Sequence, residues 1–203
     1  MIITISGIAG SGKSSVAKAL AEALGYKHYS IGDLMRGLAE EKGVSLMELS
    51  KQAETDKAID KALDDKQVAL GKSEDNFVID SRLGFHFIRH SIKIFLDVEL
   101  PIAAKRIFTQ QRSKESYKDV HDSLDTIKAR IASEDARYKE YYGIDYHTIS
   151  NYDFLVDSND LSVKEIVALI VKVLKKYGKK EGESEKKEGE SEDTEKKSGD
   201  QER

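Results

Sequence analysis

Two rhythms of apolar residues run along the chain. Short continuous runs mark buried strands: Ile2-Ile3-Thr4-Ile5, the segment Asn76 to Asp80, Ile92 to Asp97, and Asp153 to Asp157. Tyr26 to Ser30 reads as another, shorter strand. Between these runs apolar residues recur every three or four positions, the period of an amphipathic helix. Val16, Leu20 and Leu24 share one face of a helix in the stretch from Val16 to Lys27, with its end at Gly25. Ser30-Ile31-Gly32-Asp33-Leu34-Met35-Arg36 turns from strand to helix, and its glycine and acid suit a helix start. Ser45 to Thr55 opens with the capping box Ser45-x-x-Glu48. Asp56 to Gly71 predicts Ile59, Leu63 and Leu70 inward, with acids and lysines outward. Glu99 to Arg112 is helical, with Pro101 in its first turn. After a polar break at Ser113 to Lys118, Val120, Leu124, Ile127 and Ile131 predict a helix that ends near Gly143. Ser162-x-x-Glu165 caps a last helix, in which Ile166, Leu169, Ile170, Val173 and Leu174 are expected to be buried.

Strands alternating with helices predict an α/β fold whose parallel sheet is covered on both faces. In such sheets ligands bind beyond the carboxyl ends of the strands. Residues 7–15, 30–36 and 80–82 all follow predicted strands, so three stretches are expected to converge on one crevice. Three helices between the strands at 30 and 76 exceed what one crossover needs. The excess predicts a helical insertion, about residues 31–72, where a second substrate sits.

Composition changes the picture at the C-terminal end. Residues 179–203 hold seven basic and ten acidic side chains and no apolar one, with KKEGESE occurring twice. Such a segment cannot bury a core and is expected to be a disordered charged tail without a role in catalysis. It takes three of the chain's four net negative charges. The body, residues 1–178, is therefore near neutral and offers no broad basic field to a nucleic acid. Cysteine is absent among the 203 residues, which excludes disulfides and thiolate metal sites. No apolar run approaches a membrane span, and the N-terminus leads straight into a strand without a leader pattern. A cytoplasmic, monomeric enzyme acting on small molecules, with no membrane or nucleic-acid partner, is the expectation.

The strongest chemical signal is Gly7-Ile8-Ala9-Gly10-Ser11-Gly12-Lys13-Ser14-Ser15, which fits G-x-x-x-x-G-K-[ST] at every fixed position. Glycines let successive backbone N–H groups curl around a phosphate, and the following helix adds positive partial charge. Lys13 is placed to reach β- and γ-phosphates, and Ser14 to ligate Mg²⁺. Phosphoryl transfer needs charge neutralisation more than covalent chemistry, so arginines from several elements must meet the phosphates. Arg36 and Arg82 follow strand ends beside this loop. Asp80 either orients Mg²⁺ waters or caps the next turn, and Asp33 stands in a similar position. Arg130 and Arg137 are two helical turns apart and share a face, with Glu134 between them as an ion-pair partner. Such a pair is either solvated or clamps phosphate. Arg106 and Arg112 precede the polar break and face the donor nucleotide in one reading. The five histidines show no metal-ligand spacing and read as structural or exposed.

Taken together, the chain resembles the nucleoside monophosphate kinases, and among them cytidylate kinases of the short, archaeal-like type. The resemblance covers about residues 1–175. It is carried by ITISGIAGSGKSSVAKALAEALGYKHYSIGDLMR, FVIDSRLG, IKIFLDVELPIAAKRI, ARIASEDARYKEYYGID and YDFLVDSNDLSVKEI, in that order. It implies a three-layer P-loop kinase fold: a five-stranded parallel sheet, a helical insertion that binds the acceptor, and a short lid at about 106–137. It implies transfer of a phosphoryl group from ATP to CMP or dCMP with Mg²⁺. Lys13 and the loop amides of residues 7–15 would hold ATP. Ser30, Asp33, Arg36 and Arg82 would serve the acceptor, and Arg130 and Arg137 the acceptor or the transferring group. The long bacterial form carries Asp-Gly-Arg-Asp where this chain has Asp80-Ser81-Arg82-Leu83, and Leu83 cannot replace the second acid, which helps to read cytosine. A second lid arginine four residues after Arg106 is replaced by Gln110. A related kinase acting on AMP, UMP or another small acceptor, and a nucleotide-binding module that transfers nothing, are the alternatives.

Overall fold

The computed structural model describes residues 1–110 and 117–176. Arg112, most of the predicted lid tip at 113–118 and the charged tail lie outside the described residues. Five parallel strands form one sheet: β1 (Ile2–Ser6), β2 (Lys27–Ser30), β3 (Phe77–Asp80), β4 (Ile92–Asp97) and β5 (Phe154–Asp157). Their order is β2-β3-β1-β4-β5. The register sets Asp80 beside both Ile5 and Ser30. Three neighbouring strands therefore end level, and the turns that follow them open on the same edge.

Because both faces of a parallel sheet are covered, its strands read as apolar runs. On one face α1 (Lys13–Leu24) sets Val16, Ala17, Leu20 and Ala21 against Ile3, Ile5, Val78, Ile94 and Leu96. The final helix, α8 (residues 163–176), adds Ile166, Val167, Ile170 and Leu174 to that core. Both residues of its predicted capping box bond as expected: the Ser162 N–H donates to Glu165 and the Glu165 N–H to Ser162. One face assignment needs correction: Leu169 is 42% exposed, and Val167 takes a place inside. The sheet approaches α8 from the 166/170/174 side, so the helix turns slightly away from Leu169.

The other face carries α4 (Lys57–Ser73) and α5 (Gly84–Phe87); Leu70 of α4 and Ile88, the C-cap of α5, are buried against Ile2, Phe77 and Ile79. The short α5 was not visible in the periodicity, because four residues do not complete a pattern. Between β2 and α4 lie α2 (Ile31–Glu41) and α3 (Leu46–Gln52), with Ser30 and the predicted Ser45/Glu48 box as their caps. These helices have their own small core of Ala39, Leu49, Ala53 and Ile59. Beyond β4, α6 (Leu100–Gln110) and α7 (Val120–Tyr142) pack Ala103, Ala104 and Ile127 against Ile8 and Ala9. Val120, expected on that face, is exposed because it is the first residue of α7. No helix among the described residues is long and apolar enough to cross a membrane.

Candidate active site

The loop between β1 and α1 is shaped by backbone conformations that side chains resist. Gly10 has φ 83°, and a Cβ there would lie 2.5 Å from the Ala103 carbonyl oxygen. Gly12, also left-handed, is the N-cap of α1, and no side chain caps the helix. Its first N–H groups are left for a ligand, at the positive end of the helix dipole. Lys13 is buried, and its Nζ donates to the Ile8 carbonyl at 2.9 Å. Burial, and then the charge of Arg82, hold its pKa well below the usual lysine value. Such a cation gains from any anion placed beside it.

Asp80, at the end of β3, gathers three side chains. Ser14 and Ser30 donate to its Oδ1 at 2.8 and 3.1 Å, and His28 Nε2 lies 3.0 Å from its Oδ2. Burial opposes its charge, but the His28 hydrogen bond and Lys13 hold its pKa below the usual carboxylate value. His28, read from the sequence as structural or exposed, is a partly exposed partner of Asp80. Its position on β2 gave no signal, since the contact depends on β2 pairing with β3. A hydroxyl and an ionised carboxylate side by side form a hard-oxygen donor set of the kind Mg²⁺ takes.

Arg82 leaves the turn after β3 and donates from Nε to Glu134 on α7 at 2.7 Å. Arg130 Nη2 stands 4.0 Å from the other oxygen of Glu134. Burial pulls against both charges, yet each sustains the other: Arg82 is held above its ordinary pKa and Glu134 below its own. Arg36, on α2, lines the same crevice and pairs with Asp33. Asp33 itself points outward, exposed, and does not line the crevice, because the first turn of α2 aims it at the Arg36 guanidinium instead.

Arg137 and Arg130 do share a face, but the structure separates their contacts. Arg137 donates from Nε to Asp60 at 2.8 Å and from Nη1 to Ser50 and Ser133. It thereby ties α7 to α3 and α4. Arg106 is also differently used. Its guanidinium donates to Ser158 and Asn159 after β5, and Ser158 in turn donates to the Ser11 carbonyl at 3.2 Å. It buttresses the phosphate loop from behind and does not line the crevice.

The crevice thus joins Lys13, Ser14, Arg36, Asp80, Arg82, Arg130 and Arg137 in one space. It also holds groups that the sequence did not single out. Asp60 and Asp64 on α4 were expected outward; Asp60 is buried, Asp64 half-buried, and both line the crevice with Gln67. Positions 60, 64 and 67 follow helical spacing and form a polar face, which α7 satisfies through Arg137 and Tyr142. Burial pushes the Asp64 carboxyl up to about 6, against the hydrogen bond from Tyr142.

A 2-3-1-4-5 parallel sheet with a glycine loop feeding a helix N-terminus is the P-loop kinase fold. Shikimate kinase from Bacteroides thetaiotaomicron superposes with a TM-score of 0.61, at 15% identity, over 86% of this chain and 98% of that one. The profile of the cytidylate kinase-like family matches residues 2–160. Cytidylate kinase of Natronomonas pharaonis is 41% identical over 91% of this chain and 95% of its own length. Cytidylate kinase of Methanobrevibacter smithii is 35% identical over 86% and 99% respectively. The chain belongs to the cytidylate kinase-like family.

Proposed function

We propose that the protein transfers the γ-phosphoryl group of ATP to CMP or dCMP, giving ADP and the pyrimidine diphosphate. One observation carries this reading: a single crevice is lined both by the glycine loop with Lys13 and by a second group of cations, Arg36, Arg82 and Arg130. A protein that only binds a nucleotide has no use for a second anion site. Family membership and the names of the relatives support the choice of acceptor.

In this mechanism the loop amides of residues 7–15 and Lys13 cradle the ATP phosphates. Ser14 and Asp80 hold Mg²⁺, directly or through its waters; bound there, the ion neutralises phosphate charge. Helices α2 to α4 form the acceptor side. Arg36 and Arg82 fix the acceptor phosphate, and Arg130 meets the charge spread over the transferring group. An acceptor phosphate oxygen attacks the γ-phosphorus in line, the bond to the β–γ bridging oxygen breaks, and ADP leaves with that oxygen. The acceptor oxygen is already ionised, so no general base is needed. Positioning and charge neutralisation supply the rate. The test is an acceptor panel with Mg-ATP and purified protein. CMP and dCMP should be phosphorylated in preference to UMP and AMP; preference for AMP would overturn the reading.

A further inference from the structure

The crevice that holds Arg82 and Arg130 is also lined by Met35, Leu46, Leu63, Leu83 and Tyr138. Apolar side chains with a few placed polar groups suit a planar base. The polar groups there form one directed chain. Ser81 Oγ donates to Gln67 Oε1 at 2.6 Å, and Gln67 Nε2 donates to Asp64 Oδ1 at 3.2 Å. Tyr142 Oη donates to Asp64 Oδ2. Each Asp64 oxygen thus accepts one protein donor, and an ionised carboxylate has room for about four.

The other acids of the crevice each have a cationic or ionisable basic partner: Asp60 has Arg137, Asp80 has His28, and Glu134 has Arg82. Asp64 has no such ion pair among the described residues, and its neighbours Asp60 and Asp65 add to the cost of its charge. A half-buried carboxylate kept without a cation is an acceptor held ready for a ligand's donor.

We propose that Asp64, braced by Tyr142 and Gln67, accepts the exocyclic amino group of the acceptor base and so selects a 4-aminopyrimidine over a 4-oxopyrimidine. This rests on the phosphoryl-acceptor reading above. An amino group supplies the donor that the carboxylate lacks. A 4-oxo group sets lone pairs against a buried negative charge and leaves both unsatisfied. The Leu83 side chain, at the turn after β3, offers no polar atom for this purpose.

The test compares kcat/KM for CMP and UMP, with saturating Mg-ATP at pH 8, in the wild type, Asp64→Asn and Tyr142→Phe. Asp64→Asn replaces an acceptor-only group by an amide that can donate to a 4-oxo oxygen. It should lower the CMP:UMP ratio at least tenfold, mainly through KM for CMP, with KM for ATP within about twofold of wild type. Tyr142→Phe keeps the carboxylate but removes its brace, and should move the ratio the same way by a smaller factor. It carries the test if Asp64→Asn does not fold. A ratio within twofold of wild type in the folded variants overturns the proposal. A wild-type protein that phosphorylates neither pyrimidine overturns the acceptor reading instead, before any variant is compared.

Discussion

Glu134→Gln tests the electrostatic centre of the crevice. Glu134 is the carboxylate among Lys13, Arg82 and Arg130, and its Oε2 lies 2.7 Å from Arg82 Nε. The substitution keeps the shape and an acceptor but removes the charge. Breaking a buried ion pair by losing one partner costs about 3–5 kcal/mol. The glutamine amide retains one hydrogen bond, worth about 1 kcal/mol, so a loss of roughly 2–4 kcal/mol is expected. For a chain of this size that lowers Tm by roughly 4–16 °C. The folded protein holds Glu134 below its ordinary pKa, so the wild-type advantage is complete above about pH 4.3 and disappears as pH falls through the folded value. Thermal unfolding at pH 7, with and without tripolyphosphate, measures the effect. The anion should stabilise the variant more than the wild type, since it replaces the missing charge. A variant that melts within about 1 °C of wild type, or gains no more from the anion, would refute the assignment.

Two further substitutions separate the halves of the site. Arg82→Ala removes the charge-assisted contact proposed for the acceptor phosphate and should lower kcat/KM for CMP by roughly 10–100-fold, with ATP affinity nearly intact; collapse of ATP binding with acceptor use unchanged would reverse the roles. Gly10→Ala places a Cβ 2.5 Å from the Ala103 carbonyl at a left-handed φ; ATP binding measured by titration calorimetry should fall at least tenfold, and unaltered binding would show that the loop tolerates the rearrangement.

The phosphate loop, the Ser45/Glu48 and Ser162/Glu165 capping boxes and the helix stop at Gly25 are short-range signals, each complete within a few residues. Buried strands announced themselves as apolar runs, because a doubly covered sheet admits little else. Asp33 and Arg106 stand at the expected places in the chain, yet a nearer partner takes each side chain. Asp60 and Asp64 looked like ordinary surface acids, because the donors that α7 brings to them lie more than seventy residues away.

The sequence by itself determined the layered α/β fold, the phosphate loop and the arrival of Arg36, Asp80 and Arg82 at one edge. Those follow from period, glycine placement and strand ends. Only the tertiary structure decided which charges meet. Arg82 finds Glu134 fifty-two residues away, Arg137 finds Asp60 at seventy-seven, and Tyr142 finds Asp64 at seventy-eight. A helical acid reads as a solvent-face residue until another helix lays a donor against it. The loop proposed to bind phosphate is written in nine consecutive residues, whereas the pocket proposed for the base is assembled from α2, α3, α4, α7 and the turn after β3.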